Sequence, residues 1–201
     1  FDKKSYKVSG SLHGVGVSVV CALSTWMKAE VCRGGYVYAQ EYERGKPLYK
    51  VKKIGSCKKT GTKIIFDADK TIFSTIEYDL KRIAEHLRQQ SYLTKKARIT
   101  IIDERGKDPY YYGFYFEGGL RSYIQYLVGH KKLLQENPFY VHKEVNGIEV
   151  EATFAYENNS DNREMSFANN IYTPDGGMHL TGFRSALTRT LNDYARAENY
   201  L

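Results

Sequence analysis

In the stretch SGSLHGVGVSVVCALS, residues 9–24, the glycines Gly10, Gly14 and Gly16 fall within seven residues, and an apolar pattern of helical period follows at once. A helix N-terminus presents unpaired N–H groups and a partial positive charge, and glycines just before it let a phosphate reach the backbone. Anion binding is therefore one chemistry this spacing offers. The other reading is structural: the glycines serve a turn or a close helix contact. The stretch is not a P-loop, because no Gly-Lys-Ser/Thr follows. It is not the dinucleotide fingerprint either, because a loop rather than a strand precedes it. Nearby, Tyr6 offers a phenol that donates a hydrogen bond. Lys7 offers a cation for phosphate or for solvent, and His13 can touch phosphate or support the loop.

These residues need elements to hold them. Phe1 to Leu12 reads as a loop. From about His13 to Trp26, the residues Val15, Val19, Ala22, Leu23 and Trp26 recur at i, i+4, i+7, i+8 and i+11, which predicts a helix with one buried stripe. Strands are expected at Met27–Arg33, Tyr36–Glu43, Leu48–Ile54 and Thr62–Phe66, with Gly34-Gly35, Gly45 and Thr60-Gly61 between them. Ile76, Leu80, Ile83, Ala84 and Leu87 mark a second helix, and Arg98–Ile102 a further strand. Charge, Gly and Pro at Asp103–Pro109 suggest a domain boundary. Beyond it come a strand at Tyr110–Phe116 and a third helix on Leu120, Tyr123, Ile124, Leu127 and Val128. Asn146-Gly147 lies between two strand-like runs and can take positive φ at both turn positions, as a type I′ hairpin requires. A strand at Glu164–Ala168 and a final helix carrying Leu180, Phe183, Leu187, Leu191 and Tyr194 complete the pattern. Glu117 and Asp175 read as acids at helix N-termini.

With 42% apolar residues in a chain of 201, a folded core is expected and general disorder is excluded. The 18 tyrosines favour strands. Thirty basic against 23 acidic residues give +7, which suits a polyanionic partner and also an ordinary basic protein. No apolar run approaches membrane-spanning length. Cys21, Cys32 and Cys57 form an odd set without C-x-x-C, and free thiols in a reducing cytosol are the simplest expectation.

The segment YKVSGSLHGVGVSVVCALS closely resembles the nucleotide-binding segment of the B subunits of bacterial type II topoisomerases, which are GHKL ATPases. KTGTKIIFDAD resembles their Thr-Gly-Thr strand. DERG…YFEGGLRSYIQYL resembles their passage from ATPase to transducer, and NNIYTPDGGMHLTGFRSALTRTLNDYA resembles their transducer signature. The resemblance covers essentially the whole chain. It implies an α+β architecture: the C-terminal part of a GHKL α/β-sandwich ATPase domain over residues 1–105, then a ribosomal-protein-S5-like transducer over 106–201, a β-sheet with helices packed on one face.

The resemblance also implies roles. Phe1 to about Leu12 is part of a lid over ATP, with Tyr6 on the adenosine portion and Lys7 beside phosphate. Leu12, His13, Gly14, Val15, Gly16 and Val17 match the segment whose backbone wraps the phosphates. Thr62 matches the threonine that helps hold adenine; on its chemistry alone it is an ordinary strand threonine. Two positions depart from the family. Ser11 stands where a second glycine is usual, and serine lacks glycine's backbone freedom, so a differently set lid is expected. Cys21 stands where asparagine is common, and is expected to alter packing. The general base and the magnesium ligand are expected upstream of Phe1, and the transducer lysine for the γ-phosphate after Leu201. No catalytic or metal-binding residue is therefore assigned here, and the chain alone is expected to hydrolyse ATP negligibly.

The cofactors implied are ATP and Mg2+. The implied partners are DNA, a gyrase A-type cleavage subunit and a second B-type protomer in an A2B2 assembly, in the cytoplasm and without a membrane. Arg121, Arg184, Arg189 and Arg196 could face DNA, or solvent. HLTGFRSALTRTLN leans toward the gyrase branch over topoisomerase IV. A MutL-like ATPase and a non-catalytic basic nucleic-acid-binding module are the alternatives. The first is not expected to carry GGMHLTGFRSALTR, and the second leaves HGVG together with KTGT unexplained.

Overall fold

The computed structural model of the chain describes residues 14–158 and 163–201. They divide into two compact units, one within residues 14–78 and one within 79–201.

The first unit opens with helix α1 (Gly16–Ala22) and continues as strands β1 (Ser24–Arg33), β2 (Tyr36–Glu43), β3 (Lys46–Pro47), β4 (Lys52–Ser56) and β5 (Gly61–Ala68). The strands form one antiparallel sheet in the order β3-β2-β1-β5, with β4 also along the outer side of β2. Tight connections at Gly34-Gly35 and Arg44-Gly45 take positive φ, as short antiparallel links require. Met27 and Ala39 are each 2% exposed and anchor the sheet's interior.

The predicted helix ends early. Instead of continuing to Trp26, α1 stops at Ala22, and Trp26 lies on β1 opposite Asp67 of β5. The Ser24 hydroxyl donates to the Val20 carbonyl at 2.6 Å, and Ser24 begins strand pairing opposite Ala68. Tertiary pairing of a β-prone run has overridden the helical period. The expected stripe is also not covered by the described residues, since Val15 and Val19 are exposed and Cys21 is the buried residue of α1. The strand expected at Leu48–Ile54 is displaced to β4. The Leu48 amide instead donates to the Glu41 carbonyl at 2.9 Å, in the turn that β3 begins.

Cys32 and Cys57 are joined by a disulfide, with their Cα atoms 6.1 Å apart. This corrects the expectation of three free thiols. The chain leaving β4 passes the β1–β2 turn, where the Cys57 amide donates to the Gly35 carbonyl at 2.9 Å, and Cys57 thereby meets the end of β1. Cys21 is free and buried.

The second unit contains α2 (Leu80–Leu93), β6 (Ile99–Asp103), β7 (Tyr110–Phe114), α3 (Leu120–Val128), β8 (Phe139–Val145), β9 (Ile148–Phe154), β10 (Phe167–Ala168), β11 (Ile171–Tyr172) and α4 (Met178–Ala197). Asp79 caps α2 by accepting from the Arg82 amide at 3.1 Å, so Ile76 falls before the helix and outside its predicted stripe. The strands form three two-stranded ladders: β6–β7, β8–β9 and β10–β11. Asn146 (φ 53°) and Gly147 (φ 76°) close β8–β9 as the sequence requires. The strand expected at Glu164–Ala168 contracts to β10. Neither α3 nor α4 has a side-chain bond at its N-cap, which is glycine in both, and Glu117 accepts from the Tyr115 hydroxyl instead. The core here is aromatic. Tyr92 stacks on Phe116 with ring centroids 3.8 Å apart and on Tyr123 at 4.8 Å. Buried Ala84 and Phe114 belong to the same unit.

Candidate functional site

Of the residues singled out, Gly14, Val15, Gly16, Val17 and Thr62 are described. Tyr6, Lys7, Leu12 and His13, and with them the departure at Ser11, lie outside the described residues. The four turn residues are brought together by the entry into α1. Gly14 takes φ 63°, a backbone angle that glycine adopts without a Cβ penalty. Val15 is the N-cap, and its carbonyl accepts from the Val19 amide at 2.9 Å. The amides of Gly16, Val17 and Ser18 precede that first helical bond and point out of the helix end. No acidic residue stands in the first turn to neutralise them. Among the described residues, a Cβ built on Gly16 would meet nothing within 4 Å. All four residues are exposed. The turn thus supplies exposed N–H donors at a positive helix end, which is a cradle suited to an anion.

Thr62 lies elsewhere in the unit, on β5, opposite Val31 of β1. Val31 is in turn opposite Tyr38 of β2, and Tyr38 opposite Lys53 of β4. Directly opposed residues share a face, so Thr62, Val31, Tyr38 and Lys53 form one row across the sheet. Ile64 and Phe66 continue this face along β5, and both are exposed. The other face carries the paired charges. Lys28 bonds Glu30 at 2.7 Å, and Glu41 accepts from Trp26 Nε1 and from the Tyr49 hydroxyl, each at 3.0 Å. The Trp26 bond, then the Tyr49 bond, hold the Glu41 carboxyl below its ordinary pKa. Thr62 therefore stands on the apolar face of the sheet, with its hydroxyl unpartnered among the described residues. Among those residues, no hydrogen bond joins Thr62 to the turn.

Below the sheet's other end, Asp69 is 1% exposed. It accepts from Arg44 Nε at 2.7 Å and from the Thr71 amide and hydroxyl at 2.9 and 2.7 Å. The Arg44 bond, then the Thr71 bonds, lower its pKa to about 2. This constellation is structural, since every contact locks a turn. Among the described residues, no group of three or more His, Cys, Asp or Glu could hold a metal ion. No helix among them is long and apolar enough to cross a membrane.

Sequence reasoning missed the Cys32–Cys57 pairing and the part it plays in placing the start of β5. Only the register of the folded sheet reveals it. It also left unread the run Lys46–Lys63, which contains seven lysines and no acid. That signal was present in the sequence.

The DNA gyrase B family model matches residues 119–201. The chain is 43% identical over 98% of its length to the DNA gyrase B protein of Treponema denticola. It is 41% identical over its whole length to the B protein of DNA topoisomerase 4 from Streptococcus pneumoniae. It covers 31% of each of these two relatives, so it spans about a third of their length. The 43K ATPase domain of Thermus thermophilus gyrase B, solved in complex with an aminocoumarin, superposes with a TM-score of 0.80 at 34% identity. That match covers 94% of this chain and 52% of the other. The chain belongs to the family of DNA gyrase and topoisomerase IV B subunits.

Proposed function

We propose that this chain is the nucleotide-clasping and signal-transducing part of a bacterial type II topoisomerase B protein, of the gyrase branch. Residues 1–105 belong to the ATPase part and 106–201 to the transducer. The observation that carries the reading is the exposed turn at Gly14–Val17 leading into a helix with no acid in its first turn, within a chain related throughout to gyrase B and topoisomerase IV B proteins. ATP supplies the phosphoanhydride whose cleavage drives the cycle, and Mg2+ accompanies it. The residues present fit the nucleotide. Gly14, Val15, Gly16 and Val17, with Leu12 and His13, hold the phosphates by backbone N–H groups. Tyr6 and Lys7 close over the nucleotide, and Thr62 offers its hydroxyl to the base. No metal ligand or general base is assigned to this chain.

In this reading, nucleotide binding joins two B-type protomers around a DNA segment and hydrolysis reopens them. The transducer passes the state to a gyrase A-type cleavage subunit in an A2B2 assembly working in the cytoplasm. The exposed row Arg184, Arg189 and Arg196 on α4 suits sequence-independent phosphate contact. Arg184 is already bonded to Glu164, which reduces its share. Hydrogen exchange on the full-length protein tests the clasp. The amides from Tyr6 to Val17 are expected to slow when a non-hydrolysable ATP analogue is added. Unchanged exchange at saturating analogue contradicts it.

A further inference from the structure

At one end of the five-stranded sheet, four cations converge without acidic partners among the described residues. Arg33 ends β1 and stands opposite Tyr36, the first residue of β2. Lys53 of β4 lies with its ammonium 3.0 Å from the centroid of the Tyr36 ring. Lys58 and Lys59 follow Cys57, whose disulfide to Cys32 and amide bond to Gly35 pin that segment against the same end. The Cys32 sulfur also lies against the Lys59 carbonyl. Arg33, Lys53, Lys58 and Lys59 are all exposed. Among the described residues none forms an ion pair, whereas Lys95, Arg105, Lys131 and Arg184 of the other unit each do. No acid occurs between Lys46 and Lys63. Of the sheet's acids, Glu30 and Glu41 are engaged on its opposite face, and Glu43 and Asp67 lie toward its other end, opposite Lys46 and Trp26.

Four unneutralised positive charges on a covalently fixed scaffold create a persistent positive potential. The surface is an open sheet end, which suits an extended polyanion. The aromatic ring there, Tyr36, has Lys53 over its face, so it is not an open platform for stacking an unpaired base. What remains on offer is contact with regularly spaced phosphates. We propose that this sheet end, Arg33, Lys53, Lys58 and Lys59, binds the backbone of duplex DNA without regard to sequence, through residues other than those of the α4 row. The inference rests on the reading that the protein acts on DNA, but not on the nucleotide clasp.

The test compares the full-length protein with a quadruple variant, Arg33→Gln, Lys53→Gln, Lys58→Gln and Lys59→Gln. Binding of a labelled random-sequence 40-base-pair duplex (about four helical turns) is followed by anisotropy over a KCl series. Each lost phosphate contact makes the slope of log K against log salt shallower by about 0.9, so the variant slope is expected to fall by about 3 to 4. Affinity at low salt is expected to weaken about tenfold or more. A control variant, Lys81→Gln, Lys107→Gln, Lys132→Gln and Lys143→Gln, removes the same net charge elsewhere and is expected to keep the slope. ATP-analogue affinity is read in parallel and is expected to be unchanged, which shows the variant folded. An unchanged slope in the folded variant, an equal loss in the control, or tighter binding of the wild type to a 40-nucleotide single strand through these residues overturns the proposal. Failure of the wild type to bind nucleotide overturns the clasp and leaves this result standing.

Discussion

Asp69 shows how much one side chain can hold. It is buried and joins the Arg44 turn to the loop after β5, where its own amide donates to the Leu23 carbonyl at 3.0 Å. Because folding depresses its pKa from 3.8 to about 2, its ionised form stabilises the fold fully above the unfolded value, and that contribution is lost as pH falls through about 2. Thermal stability should therefore fall between pH 4 and pH 2 in the wild type. Asp69→Asn should melt lower at pH 7 and lose less over that window; parallel pH profiles would remove Asp69 from the acid response. Gly16 poses the opposite case, since among the described residues nothing lies within 4 Å of where its Cβ would stand. Gly16→Val should therefore fold, yet bind an ATP analogue at least about tenfold more weakly, a change of about 1.4 kcal/mol. Equal affinity by calorimetry would remove the backbone cradle.

Among the elements, those governed by local rules were legible. The Asn146-Gly147 turn, the helix from Leu120 to Val128 and the strand Tyr36–Glu43 follow from turn chemistry and periodicity. What failed depends on distant partners. Trp26 matched a helical stripe, but pairing with β2 and β5 claimed its segment as strand. Cys32 and Cys57 are 25 residues apart and meet only because the chain returns past the β1–β2 turn. The site divides in the same way: the Gly14–Gly16 turn was visible as a pattern, while the shared row of Thr62 and Lys53 depends on strand register. Closing the loop between the two cysteines should contribute about 3 kcal/mol by restricting the unfolded chain. Cys57→Ser, or reductant on the wild type, is expected to speed amide exchange along β4 and the start of β5. Exchange unaffected by either treatment would show that the strands hold this end alone.

For the whole molecule, the excess of basic residues, the relation to gyrase and topoisomerase IV B proteins and the Gly14–Val17 turn all support the function proposed above, the driving of DNA passage with ATP. Both units carry ion pairs, and at one end of the first unit's sheet Arg33, Lys53, Lys58 and Lys59 stand without one among the described residues. A polyanion handled without sequence preference suits that distribution. The most direct measurement places the full-length protein with its A-type partner on relaxed plasmid, with and without ATP. ATP-dependent negative supercoiling is the expected result. ATP-dependent relaxation or decatenation without supercoiling would move the protein to the topoisomerase IV branch, and no change in topology from a folded, ATP-binding complex would contradict the proposed function.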